Sequence, residues 1–211
     1  MVNALPKVRP VSMRDTALDA LRQALLRGRF SPGEALSEPA LAAEMDISRG
    51  PVREALVVLA QEGLVVHSQN YGFSVALFTE ADRQEVVTVR YPLETLALEL
   101  ARERITPDDI RGLEHLMAQM LDCYRRDHLP ECTQYDREFH QNIWRIAGNS
   151  RLERTLHHLM TPYFAYASVF RISRNDLSDR LLEDQHLSFL EYLGGNTKRS
   201  AAECVRYHIG L

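Results

Sequence analysis

The chain has three cysteines in its 211 residues, Cys123, Cys132 and Cys204. An odd number, in no zinc-like spacing, argues against a disulfide framework or a zinc ribbon and for reduced thiols. No apolar run approaches the roughly 20 residues that span a bilayer, and the N-terminal stretch MVNALPKVRP lacks the apolar core of a signal peptide. The chain also lacks the basic excess of a general polyanion binder: 25 Lys and Arg stand against 29 Asp and Glu, a net charge of -4. These absences predict a cytoplasmic protein with no membrane partner. They require any contact with nucleic acid to be local and geometric, not a broad basic surface.

What is present is ordinary globular material, 45% hydrophobic and 26% charged, and long enough for one large domain or two small ones. Residues 1–78 hold eight basic against eight acidic residues, and 79–211 hold 17 against 21, so the acid excess lies entirely in the second part. MRDTALDALRQALLRGRF places Leu18, Leu21, Leu25 and Leu26 on one helix face ending at Gly28, and SPGEALSE reads as a turn. A short helix follows, with Ser37 as cap and Pro39 in its first turn. Then RGPVREALVVLAQEG turns Val52, Ala55, Leu56 and Leu59 inward. Two β-type runs, LVVHS and FSVALF, flank the hairpin signal QNYG. Three helices and a hairpin make a winged helix-turn-helix over 1–78. From Thr79 onward only helical patterns remain, at about 80–104, 107–127, 131–147, 150–172, 177–194 and 197–211. The predicted fold is mainly α, a winged helix-turn-helix followed by an all-helical bundle over 79–211.

The stretch DISRGPVREAL opens the third helix. A helix that reads base edges with its first turn needs small residues for close approach and long donors for guanine. Arg49 and Arg53, four apart on one face, are such donors. Gly50 leaves room for the sugar-phosphate wall, and Ser48 can offer its hydroxyl or N–H to a phosphate. The alternative is a solvated helix end with two surface arginines. The hairpin tip carries Asn70, Tyr71 and Gly72, the last suited to a turn; His67 reads as a strand residue.

In the second part, Asp136 and His140 project from one helix face, while His186 and His208 sit on two later helices. One carboxylate and three imidazoles converging in a bundle suit a borderline divalent metal with positions left open, zinc first, with nickel or manganese as alternatives. An Asp–His pair at this spacing is otherwise a surface ion pair, and the five other histidines show that the residue is not scarce.

LRGRFSPGEALSEPALAAEMDISRGPVREALVVLAQEGLVV resembles the N-terminal domain of GntR-family bacterial transcription regulators. It departs from that pattern at Asp46, where the family usually has Gly, and at Gly50, where it often has Thr. No arginine stands near Pro39, where some members place one to reach a base. The resemblance implies a wing tip in the minor groove, carried by Asn70, Tyr71 and Gly72. YDREFHQNIWRIAGN, EDQHLSFLEYL and AECVRYHIGL resemble the FadR-type (FCD) effector domain, with six helices as in the VanR branch. This implies that Asp136, His140, His186 and His208 bind metal. VRYPLETLALELA resembles that domain's first helix, which implies that Arg90 helps bind an effector carboxylate; the alternative for Arg90 is an ion pair with Glu94. The last helix is short after His208, which predicts a weaker ligand there or a more open pocket. The expectation is a homodimeric repressor or activator on a palindromic operator, controlled by a small carboxylate docked at the metal. A metal-dependent enzyme is the rival, but no general base or nucleophile is placed by motif.

Overall fold

The structure is a computed structural model. It describes residues 12–126, 128–173 and 179–210, with side chains described throughout except at 129, 130, 166–173, 179 and 180. The expected helix start at 177, and residues 127 and 211, lie outside the described residues. By internal contacts the chain divides into two compact units, with the junction after the hairpin between Ala76 and Leu77.

The first unit holds α1 (Met13–Leu26), β1 (Ala35–Leu36), α2 (Glu38–Glu44), α3 (Arg49–Gln61), β2 (Val65–Ser68) and β3 (Gly72–Val75). Val52, Ala55, Leu56 and Leu59 of α3 are fully buried, the valine and the two leucines each contributing about 1.5–3 kcal/mol. On α1 the inward row is Ala17, Leu21 and Leu25, and Leu18 is only half-buried. The sheet has three strands in the order β1-β3-β2, all antiparallel, with Leu36 opposite Phe73 and His67 opposite Phe73 on the other side. β1 falls inside the segment expected to be a turn, and β3 stops at Val75, short of the expected Phe78. Arg22 forks onto Glu62 at 2.6 and 3.0 Å, tying α1 to the end of α3, and Arg29 pairs with Glu44 at 2.6 Å.

The second unit holds α4 (Glu80–Arg102), α5 (Pro107–Arg125), α6 (Leu129–Ile146), α7 (Ser150–Ser173), α8 (Asp179–Leu193) and α9 (Ala201–Ile209). α4 packs against α6, α7, α8 and α9, while α5 lies against α6 and α8. Its buried row is Val87, Arg90, Glu94, Ala97, Leu98 and Ala101, a stripe at three- and four-residue spacing. Phe139, Trp144, Leu156, Met160 and Phe189 complete the core from α6, α7 and α8. α6 starts two residues earlier than expected, because Pro130 fits its first turn, where the missing N–H is unneeded. α9 starts later than expected and ends at Gly210, which takes a left-handed conformation (φ 74).

The late start of α9 has a local cause. Ser200 Oγ accepts from the Glu203 N–H at 3.2 Å, and the Glu203 carboxylate accepts from the Ser200 N–H at 2.7 Å. This capping box nucleates a nine-residue helix too short to persist alone. Ser200→Ala is expected to lower stability by about 0.5–2 kcal/mol, and Ser200→Gly by only a few tenths. Urea unfolding of the two variants checks this, and equal losses would put the cap's contribution elsewhere.

Candidate nucleic-acid interface and metal centre

At the start of α3, Ser48 takes the N-cap conformation (φ -73, ψ 160), yet its side chain makes no capping hydrogen bond. Its hydroxyl therefore faces solvent at the positive end of a helix, where an anion is favoured. Arg49 and Arg53 are exposed, and neither pairs with an acid among the described residues, whereas Arg22 and Arg29 in the same unit do. A Cβ built on Gly50 would meet nothing within 4 Å, so nothing within the chain itself requires a glycine there. The turn before α3 places Asp46 at φ 52, a region glycine adopts at less cost; its short polar side chain makes this tolerable. Gly72 at the hairpin also has positive φ (74), and Tyr71 beside it is 89% exposed. His67 is an exposed strand residue stacked on Phe73, ring centroids 4.4 Å apart.

In the helical unit, Asp136 and His140 of α6, His186 of α8 and His208 of α9 come together. The three imidazoles each offer a nitrogen, and these lie within 4.8 Å of one another; the triad can hold a metal ion. Asp136 Oδ1 lies 3.0 Å from His186 Nε2 and 3.5 Å from His140 Nε2. Asp136, His140 and His186 are all at most 4% exposed, and His208 is half-buried. Phe139, Trp144, Phe164 and Phe189 ring the imidazoles at centroid distances of 4.9–6.2 Å, so the surroundings are apolar.

Proton placement decides what such a cluster can bind. His186 Nδ1 lies 2.8 Å from the Leu182 carbonyl, which only accepts, so Nδ1 carries the proton. The other ring nitrogen, Nε2, faces the Asp136 carboxylate at 3.0 Å, an arrangement a bound cation would suit. His140 Nε2 and His208 Nδ1 are buried without a hydrogen bond. Burial, reinforced by His140 and His186, pushes the His208 imidazole well below the usual histidine range, which keeps it neutral and able to ligate. Nitrogen-rich and set among aromatic rings, the donor set fits a borderline divalent cation.

Arg90 is the remaining expected residue. It is 3% exposed, and its Nε donates to Glu94 Oε2 at 2.7 Å. The expected ion pair with Glu94 exists, and it lies inside the bundle. Burial would weaken the Arg90 charge, but Glu94 more than offsets this. Glu94 also reaches His140, Oε1 to Nδ1 at 3.2 Å, a contact the sequence reading missed. The available signal was the α4 stripe, on which Arg90 and Glu94 occupy core positions.

The FCD domain family model matches residues 85–211, and that of the bacterial regulatory proteins, gntR family, matches 13–75. The HTH-type transcriptional repressor GlaR of Escherichia coli is 27% identical over 93% of this chain and 94% of its own length. A gluconate operon transcriptional repressor of Bacillus subtilis is 33% identical over 63% of this chain and 54% of its own. Among solved structures, E. coli McbR/YncC superposes with a TM-score of 0.78 at 23% identity, covering 95% of each chain, a likeness of fold. The matching domains and relatives are transcription regulators and not enzymes. No helix among the described residues is long and apolar enough to cross a membrane.

The geometry of the triad yields a direct test. Full-length protein purified without chelator is expected to carry one divalent metal per chain by native mass spectrometry. His140→Ala/His186→Ala should lose it. His157→Ala and His158→Ala, on exposed α7 positions, should keep it. Unchanged metal content in the double variant would rule the triad out.

Proposed function

From the premise that this chain belongs to the gntR family of bacterial regulatory proteins and carries an FCD effector domain, we propose that a metal-docked carboxylate controls its operator binding. The observation that carries this reading is the set of buried, donor-less nitrogens of His140 and His208 facing Asp136 and His186, with a buried guanidinium on the neighbouring helix. Asp136, His140, His186 and His208 would hold a divalent ion, zinc before nickel or manganese. When bound, such an ion supplies a Lewis-acid position for a carboxylate oxygen. Arg90 would take the far end of the same ligand. Its Nε is engaged by Glu94, and its terminal nitrogens have no hydrogen bond to a described residue. Tyr163 lies under the guanidinium, 5.3 Å from carbon to ring centroid, and limits its movement. One relative's operon is named for gluconate, itself a small carboxylate, which favours this ligand class. Six helices after the hairpin, among the described residues, support the VanR-like branch.

The DNA-binding domain would be residues 1–78 and the effector and dimerisation domain 79–211. Ser48, Arg49, Gly50 and Arg53 would enter the major groove, with Asn70, Tyr71 and Gly72 at the minor groove. Val89 and Leu96, seven apart on α4, expose apolar surface on one face, which supports a second copy as partner. Two identical reading heads about a two-fold axis would require a palindromic operator.

Arg49→Ala and Arg53→Ala are each expected to cost about 1–3 kcal/mol of specific binding, the worth of an arginine–guanine fork. Titrations on operator and on random DNA check this, and equal weakening on both would assign the arginines to phosphates only. The effector arm is tested with Arg90→Lys, which keeps the charge beside Glu94 and removes the fork. Calorimetry of metal-loaded protein with small carboxylates should then show about 1.5–3 kcal/mol less binding with metal content unchanged. Wild-type affinity in this variant would remove Arg90 from the effector site.

A further inference from the structure

We infer that Glu94 is a positioning residue for the metal centre: its carboxylate dictates which nitrogen of His140 faces the ion and joins that ligand to Arg90. The inference rests on the metal reading above and assigns a role to a residue outside the proposed ligand set.

A ligating imidazole must be neutral and so carries one N–H, and on His140 two carboxylates compete for it. Asp136 Oδ1 lies 3.5 Å from Nε2, and Glu94 Oε1 lies 3.2 Å from Nδ1. A proton drawn to Nε2 would point into the triad and remove His140 as a ligand. A proton held on Nδ1 leaves the Nε2 lone pair facing Asp136 and the other imidazoles, the arrangement in which that atom has no hydrogen bond of its own. Glu94 is the nearer carboxylate, its Oε1 close to Nδ1 but not yet in hydrogen-bond geometry, and as an ionised group it can only accept. His186 has the same arrangement with a different partner, the Leu182 carbonyl, so both rings are oriented from behind. The Leu182 carbonyl is part of the α8 backbone, whereas Glu94 is a buried charge and needs a counter-charge. Arg90 Nε supplies it at 2.7 Å on the other oxygen, with both side chains at 3–4% exposure. Glu94 thus faces His140 Nδ1 with one oxygen, 3.2 Å away and without a hydrogen bond of its own, and holds the proposed effector-binding arginine with the other.

The test uses full-length protein titrated with Co(II), read by its d–d absorption and by competition with a chelator. Arg90→Met/Glu94→Met leaves neither charge buried and should fold, as checked by circular dichroism. It is expected to bind Co(II) roughly 10- to 100-fold more weakly, the usual effect of losing such a partner. Glu94→Gln keeps an oxygen acceptor for Nδ1 and should fall between this variant and the unsubstituted protein. Histidine 15N NMR of metal-free, unsubstituted protein, recorded at a pH high enough to leave the His140 ring neutral, should show its proton on Nδ1, moving to Nε2 in the double variant. Wild-type affinity and spectrum in the folded double variant would overturn the inference. So would a His140 proton on Nε2 in the unsubstituted protein, whatever the variants do. Failure of the unsubstituted protein to bind Co(II) would overturn the metal reading itself, and this inference with it.

Discussion

A buried carboxylate is tolerated only when something of opposite sign or a strong donor meets each oxygen, and the helical unit buries two of them. Glu94 and Asp136 are at most 4% exposed in a core otherwise built from Phe139, Trp144, Phe164 and Phe189. Burial alone would raise the Glu94 carboxyl, yet Arg90 and His140 hold it down at about 2. Burial would likewise lower His140, yet Glu94 and Asp136 raise it. These residues come from α4 and α6, so the charge matching is also what joins those helices at their deepest point. An apolar pair of similar volume would pack at least as well, because desolvation offsets most of the Coulomb gain of a buried ion pair. What Arg90 and Glu94 contribute is therefore geometry at His140 more than stability.

The same distinction separates the arginines of the first unit. Arg22 and Arg29 are used up in ion pairs with Glu62 and Glu44, one of them fixing α1 to α3. Arg49 and Arg53, at the start of α3, have no such pairing among the described residues. A chain with net charge -4 can still present a sequence-reading surface where two unpaired cations share one helix end. Ser48, which declines its capping bond, and Gly50, which nothing crowds, sit in the same turn. Each is locally suboptimal for helix stability, as expected where a surface is shaped for something outside the chain.

Much of this was legible in the sequence where a short-range rule acts alone. The α3 core positions followed from periodicity, and the starts of α4 and α5 from Thr79 with Asp82 and Thr106 with Pro107. Asp136 and His140 announced a shared face by their spacing. What was not legible depended on partners distant in sequence. β1 is two residues long and exists because Ser74 and Phe73 of β3 pair with it, so it has no pattern of its own. Ala17 replaces Leu18 in the α1 row because tertiary packing, not hydrophobicity, selects the inward position. Glu94 could be read as a surface partner of Arg90 because a charged pair at i, i+4 is usually solvated; only the stripe running on through Ala97, Leu98 and Ala101 places it inside.

Chain connectivity gives α4 a special position in any response to a ligand. It begins at Glu80, directly after the hairpin segment, and carries both Arg90 and Glu94, whereas the four candidate metal ligands belong to α6, α8 and α9. A ligand held between the ion and Arg90 would act on α4 against the helices that fix the metal. Pro92 lies between Arg90 and Glu94 and removes the N–H that would reach the Thr88 carbonyl, so α4 lacks one rung at that point. Adjustment there costs less than in an uninterrupted helix. Closeness to α4 is not sufficient for control, however. A carboxylate that fitted equally well with α4 in two arrangements would bind tightly and leave operator affinity where it was, since only differential affinity shifts a conformational equilibrium. The position of Glu94 makes a difference in fit physically reasonable: Arg90 cannot move toward a ligand without changing its bond to Glu94, whose other oxygen lies 3.2 Å from His140.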